Sequence, residues 1–183
     1  MENKDFIPLM VPDIRQEDID AVVSVLQTGM FTQGSKVEEL ENNLAKYLGV
    51  KHAIAVSSGT ATLHLALVAL GIGKGNEVIV PAFSYMATAN VVELVGATPI
   101  FVDIDINTFN IDINLIEQAI TSNTKAIMPV HEFGLACDII EICKLAKKYD
   151  IKVIEDAACA LGATESGKFT GTFGDVGSFS FHP

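Results

Sequence analysis

Ala53-Ile-Ala-Val-Ser-Ser-Gly-Thr-Ala-Thr-Leu-His-Leu-Ala-Leu67 reads as a short strand that breaks at a Ser-Gly-Thr turn and restarts as a helix. The first amides of a helix have no partners inside it, and the aligned peptide dipoles leave partial positive charge there, so Gly59, Thr60 and Ala61 form a seat for an anion. Gly59 lets the backbone come close, and Thr60 adds a hydroxyl. Ser and Thr also cap ordinary helices, so the turn alone leaves a plain capping role open. A second signal stands much further on, where the apolar run Val153-Ile154 delivers Glu155-Asp156-Ala157-Ala158 and so puts a carboxylate where a strand runs out. An anion seat and a strand-end carboxylate together point to a clamp on a phosphorylated heterocycle.

Outward from these two stretches, strand and helix alternate. Residues 18–27 carry Ile19, Val22, Val23 and Leu26 at helical spacing, with Gly29 at the C-terminal cap. Ser35 reads as the N-cap of a second helix ending at Leu48, with Glu38 as its capping-box partner and Gly49 closing it. After the strand at 52–56 and the helix at 60–70, strands are expected at 77–80, 99–102, 126–130 and 152–155, and helices at 86–94, 115–120 and 138–149. That rhythm predicts a largely parallel sheet wrapped by helices, with ligand groups at the carboxyl ends of the strands. Glu165-Ser-Gly-Lys168 is a turn signal. Gly71-Ile-Gly-Lys-Gly75 follows a helix and precedes a strand, the reverse of a dinucleotide-binding context, and reads as a helix-ending turn.

Composition fits one α/β domain: 183 residues, 49% hydrophobic and 19% charged. The net charge of −11 argues against nucleic-acid binding, which needs clustered Lys and Arg. No apolar run approaches the roughly 20 residues that span a bilayer, and Met1-Glu-Asn-Lys-Asp5 lacks the start of a signal peptide, so a cytoplasmic protein is expected. Cys137, Cys143 and Cys159 have no C-x-x-C spacing and read as reduced thiols, and the four histidines form no helical metal pair, so no metal site is expected.

Thr32-Gln-Gly-Ser-Lys-Val-Glu-Glu39, Tyr47-Leu-Gly-Val-Lys-His52, Val56-Ser-Ser-Gly-Thr-Ala61, Val80-Pro-Ala-Phe-Ser-Tyr85 and Val153-Ile-Glu-Asp-Ala-Ala158, in that order, resemble the DegT/DnrJ-type sugar aminotransferases. The resemblance runs from about Ile7 to Pro183. It implies an enzyme dependent on pyridoxal 5'-phosphate (PLP), with the aspartate-aminotransferase-like α/β fold (PLP fold type I) in truncated form. Residues 1–183 would be the N-terminal part of the large, cofactor-binding domain. The resemblance further implies a homodimer that moves an amino group from an amino-acid donor, glutamate by analogy, to a nucleotide-linked keto sugar in amino-sugar or surface-polysaccharide biosynthesis.

By the same resemblance Gly59, Thr60 and Ala61 hold the cofactor phosphate, Tyr85 lies over the pyridine, and Asp156 pairs with the pyridine nitrogen and keeps it protonated. Glu155 points to the opposite face and is structural. Ser180 matches a serine that touches the phosphate, although within Ser178-Phe-Ser-Phe it also fits an alternating strand residue. Cys159 stands near the cofactor's phenolic oxygen, where relatives carry Gln or His, so a weak donor replaces a good one. The family's Schiff-base lysine falls just beyond Pro183. Lys168 sits in a turn, and Lys125 and Lys152 open strands at the far end, so the parent protein is expected to be an aminotransferase and this piece alone to be inactive. Two alternatives stay open: a sugar dehydratase of the same fold, in which histidine replaces the lysine, and a non-catalytic binding or regulatory module. His182 precedes the lysine position and does not separate them.

Overall fold

Apolar runs of four or five residues bounded by turns become the strands of one parallel sheet in the computed structural model, which describes Ile7 and residues 11–182. The residues 1–5 read for a signal peptide, and Pro183, lie outside the described residues. The strands are β1 (Glu77–Pro81), β2 (Thr98–Val102), β3 (Thr124–Ile127), β4 (Lys152–Asp156), β5 (Thr164–Glu165), β6 (Lys168–Phe169) and β7 (Val176–Ser178). The main sheet has the order β2-β1-β3-β4-β7, with every pairing parallel. The hairpin β5–β6 turns through Ser166 and Gly167, at φ 50° and 79°, as the Glu-Ser-Gly-Lys signal requires. Lys168 therefore stands in a strand immediately after the turn rather than within it.

Because successive strand residues face opposite ways, the sheet builds two cores. Val78, Val80, Ala126, Met128 and Ile154 pack under Leu63, Ala66 and Leu67 of α3 (Gly59–Ala69) and Val91 and Val92 of α4 (Ala87–Leu94). Ile79, Ile127 and Val153 pack on the other face, under Ile116 of α5 (Ile113–Ala119) and Ile139, Ile142 and Ala146 of α6 (Ile139–Tyr149). The chain leaves β1 toward β2 on one side and returns to β3 on the other. The loops that follow β1 and β3 therefore part from each other at the carboxyl end of the sheet, which is the position where α/β folds open a crevice.

The chain divides into two compact units, one running to Ala55 and the other covering Val56–His182. The first holds α1 (Gln16–Thr28) and α2 (Ser35–Leu48), closed by Gly29 and Gly49 in left-handed conformation. The expected cap at Ser35 is corrected: Gly34 is the N-cap and Ser35 the first helical residue, with no side-chain cap bond. At the start of α1 the Arg15 amide donates to the Asp18 side chain at 2.9 Å.

The strand expected at 52–56 is also absent. Its Ala55 amide donates to the Glu41 side chain at 2.8 Å instead of to a neighbouring strand, and Ile54 stays 77% exposed, so the segment is extended without a ladder. The remaining elements begin and end within a few residues of their expected bounds. Gly71 and Gly75, at φ 71° and 86°, make the expected helix-ending turn. Among the described residues no helix is long and apolar enough to cross a membrane.

Leu67 has no exposed surface and sits under the α3 face of the sheet. Replacing it with Ala is expected to cost about 2–5 kcal/mol in urea unfolding. The same change at Leu94, which is 68% exposed, should cost under about 0.5 kcal/mol beyond helix propensity.

Candidate active site

Asp156 ends β4 on the face packed by α3 and α4, buried at 5% exposure. Thr88 of α4 donates its hydroxyl to Oδ2 at 3.0 Å, and the Ala158 amide donates to Oδ1 at 3.2 Å. Burial raises the Asp156 pKa, and these two donors, together with His131, pull it back in part. Ser84, in the loop after β1, bonds the Thr88 hydroxyl at 2.9 Å.

Glu155, one residue earlier, faces the other way and has no exposed surface. Its Oε1 accepts the Phe173 and Gly174 amides at 2.6 and 2.7 Å; its Oε2 accepts the Gly171 amide at 2.8 Å and His131 Nε2 at 3.0 Å. His131 Nδ1 accepts the Cys137 amide at 3.2 Å, which puts the ring proton on Nε2 and aims it at Glu155. The expected structural role is therefore specific: Glu155 carries the 171–174 loop. The loop packs so closely that a Cβ on Gly177 would collide with the Gly171 carbonyl oxygen. Asp175 fastens its far end through the Val153 amide and Lys152, both at 2.9 Å.

That loop delivers β7, whose Ser178 lies opposite Asp156 in register. The Ser178 hydroxyl touches the Thr62 hydroxyl in the first turn of α3. The α3 N-terminus is thereby held one strand away from Asp156. Ser58 caps it, accepting the Ala61 amide at 3.1 Å. This amends the anion seat: the Ala61 amide is taken by the cap, which leaves those of Gly59 and Thr60. A Cβ on Gly59 would come 3.0 Å from Ser180 Cβ and 3.3 Å from its hydroxyl, so glycine is what allows Ser180 to approach the helix start. The expected strand before this turn is replaced as its support by β7.

Tyr85 is 76% exposed, and its carbonyl accepts the Thr88 amide at 3.1 Å, so it stands at the same sheet end as the Thr88–Asp156 pair. Cys159 is exposed in the turn after β4, with its carbonyl against Gly134. Lys152 opens β4 at the end opposite Asp156 and pairs with Asp175; the Lys168 ammonium lies 4.5 Å from the Phe173 ring centre; Lys125 donates to the Ser122 carbonyl at 3.2 Å.

Sequence reading missed Ser84, Thr88, His131 and Glu132. Glu132 lies in a 3₁₀ turn (Glu132–Gly134) after β3, 8% exposed, with Oε1 buried and unpartnered among the described residues. Burial pushes its pKa up to about 7, and the Asp156 charge adds to the rise. Phe133 in the same turn has φ 53°, a conformation that costs a non-glycine residue roughly 1 kcal/mol. Its ring joins those of Phe83 and Phe109, with centroids 5.5–6.3 Å apart.

A family model described as the DegT/DnrJ/EryC1/StrS aminotransferase family matches residues 12–183. The GDP-perosamine synthase of Caulobacter vibrioides is 48% identical over 176 residues, which is 96% of this chain and 47% of that protein. The UDP-4-amino-4-deoxy-L-arabinose–oxoglutarate aminotransferase of Shewanella sediminis is 44% identical, over 98% of this chain and 46% of its own length. The PLP form of the Streptococcus pneumoniae protein Spr1654 superposes with a TM-score of 0.92 at 41% identity, covering 96% of this chain and 49% of that one. The chain thus spans about half the length of the curated relatives it matches.

Two outcomes follow from the buried acids. Glu132 keeps its proton in the fold up to about pH 7 but loses it near 4.5 when unfolded. The native state then binds more protons between those values, so stability falls as pH rises from about 4.5 to 7, by up to about 3 kcal/mol. The raised Asp156 acts in the same direction. Urea unfolding across this window should show the decline, and Glu132→Gln should flatten most of it. Glu155→Gln turns one acceptor oxygen into a donor facing amides, and should cost about 3 kcal/mol in the same assay.

Proposed function

Because the chain belongs to the DegT/DnrJ/EryC1/StrS aminotransferase family, we propose that its protein is a PLP-dependent aminotransferase that transfers an amino group from an amino-acid donor, glutamate, to a nucleotide-linked keto sugar. Residues 1–183 form its N-terminal, cofactor-binding part. It works in the cytoplasm as a homodimer, in amino-sugar or surface-polysaccharide biosynthesis. The observation that carries this reading is the one-strand spacing between Asp156 and Ser178, which ties a carboxylate and a helix N-terminus into one sheet end.

The residues present fit the cofactor. The free amides of Gly59 and Thr60 and the hydroxyl of Ser180 beside them suit a phosphate. Asp156, already oriented by Thr88 and Ala158, keeps acceptor lone pairs for a protonated ring nitrogen. Tyr85 supplies an exposed ring to cover the heterocycle, and Ala61 packs at the phosphate turn without donating. Bound there, PLP supplies a ring that takes up charge from the substrate carbon. Asp156 would hold the proton on the ring nitrogen that makes this possible, with its carboxylate fixed by the buried Thr88 hydroxyl. Cys159, a weak donor, would hold a neighbouring oxygen of the cofactor less firmly than an amide or imidazole would.

The test uses the polypeptide as the gene encodes it, given PLP, glutamate and a panel of GDP- and UDP-linked keto sugars. Formation of 2-oxoglutarate together with an amino sugar supports the reading. Loss of a sugar hydroxyl without amine incorporation would identify the dehydratase chemistry named by a similar structure, a GDP-4-keto-6-deoxymannose-3-dehydratase with a TM-score of 0.89. PLP binding without turnover of any sugar would identify a binding module. Asp156→Asn, with a charge-assisted hydrogen bond lost, should weaken PLP in equilibrium dialysis about tenfold to a hundredfold.

A further inference from the structure

Glu132 is a buried acid at this sheet end to which the cofactor reading gives no task. Its turn is fixed without its carboxyl. The Glu132 amide donates to Asn110 Oδ1 at 2.9 Å, its carbonyl accepts the Leu135 amide at 2.9 Å, and the His131 amide donates to the Asp156 carbonyl at 3.0 Å. Any side chain of similar length would leave these bonds in place, so the acid group itself needs another explanation.

Proton counting along the neighbouring hydroxyls supplies one. Thr88 has a single hydroxyl proton and gives it to Asp156. In the Ser84–Thr88 bond Ser84 must then be the donor. Ser84, with its own proton spent on Thr88, has none to give Glu132, whose Oε1 is buried and unpartnered among the described residues. The Thr88 hydroxyl and the Ala158 amide favour charge on Asp156, so of the two buried carboxyls Glu132 is the one that keeps its proton. If Glu132 ionises instead, Ser84 must turn to it, the Ser84–Thr88 bond is lost, and a second negative charge stands beside Asp156 with Oε1 unpartnered.

We infer that Glu132 is a positioning residue of the ring-nitrogen seat: it holds the proton shared by two neighbouring carboxyls, so that Asp156 keeps the charge that faces a cationic ring nitrogen. The assignment to the ring nitrogen rests on the cofactor reading; the proton sharing does not. The titratable groups around Glu132 are Asp156 from β4 and His131 from its own turn, whose ring is engaged by Glu155 and the Cys137 amide. Ser84, Thr88 and Asn110, from the loop after β1, from α4 and from the segment before α5, are neutral.

Carboxyl carbon NMR of the full chain, labelled at Glu and Asp and followed from about pH 4 to about pH 9, tests the sharing without any ligand. One Glu signal is expected to titrate near neutrality and to vanish in Glu132→Gln. Thr88→Val, which removes the donor that favours charge on Asp156, should move the near-neutral titration from Glu132 to an aspartate. A near-neutral titration on an aspartate in the unaltered chain, or on no carboxyl, would overturn the proposal.

The second arm measures pyridoxamine 5'-phosphate affinity, which avoids any bond to lysine. The ratio of affinities between the unaltered chain and Glu132→Gln should be near one at about pH 5 and rise to about tenfold at about pH 9, as the second charge appears beside the ring. A ratio flat with pH would overturn the positioning role. A Glu132 titration as expected, with no binding of this probe, would overturn the cofactor reading and the ring-nitrogen assignment while leaving the carboxyl pair standing.

Discussion

A carboxyl group with no surface in contact with solvent must find donors for both oxygens, and Glu155 finds them in three backbone amides of the 171–174 loop and the His131 ring. Much of the sheet end hangs on that requirement. The loop cannot leave without stripping an interior charge of its partners, so β7 is held beside β4. With β7 in place, Ser178 meets Thr62, and the start of α3 is fixed one strand from Asp156. Through His131 the same group also sets the turn that carries Glu132. Two consecutive acids thus divide the work by the alternation of a β-strand, one binding the fold together and the other facing the crevice.

What the sequence disclosed follows the range of the forces involved. Strands β1, β3 and β4 were legible because both faces of a parallel sheet are covered, which leaves uninterrupted apolar runs such as Val78-Ile-Val80 and Val153-Ile154. Asp156 was legible as an acid where such a run stops. The segment at 52–56 has the same apolar look, yet its Ala55 amide goes to Glu41, a choice of partner that periodicity does not register. The Ser35 cap failed on a narrower point, because glycine can occupy the N-cap with its own backbone and leave the serine to begin the helix.

The cluster of Glu132, Ser84, Thr88 and Asp156 was invisible for a different reason. Its members come from the loop after β1, from α4, from the turn after β3 and from the end of β4, and only the strand order β1-β3-β4 brings them together. Taken singly, Ser84 and Thr88 look like residues that begin and line a helix, and Glu132 looks like a surface acid. The burial of Thr88 and Glu132 is a property of the crevice between diverging loops.

The distance along the chain between Glu155 and its donors also orders events during synthesis. A ribosome makes Glu155 before Gly171, Phe173 and Gly174 exist, so a nascent chain that has just completed β4 holds an acid whose amide partners are still to come. Until they emerge, the strand is better served by leaving Glu155 in water than by seating it in the α5–α6 core. Asp156 shares the backbone of that strand and waits with it. The start of α3, translated far earlier, likewise lacks the Ser178 contact that fixes its place. The two halves of the sheet end are therefore completed together and late, when residues 171–178 close the edge, and a chain stalled before that stretch has its helices and most of its strands but no assembled crevice.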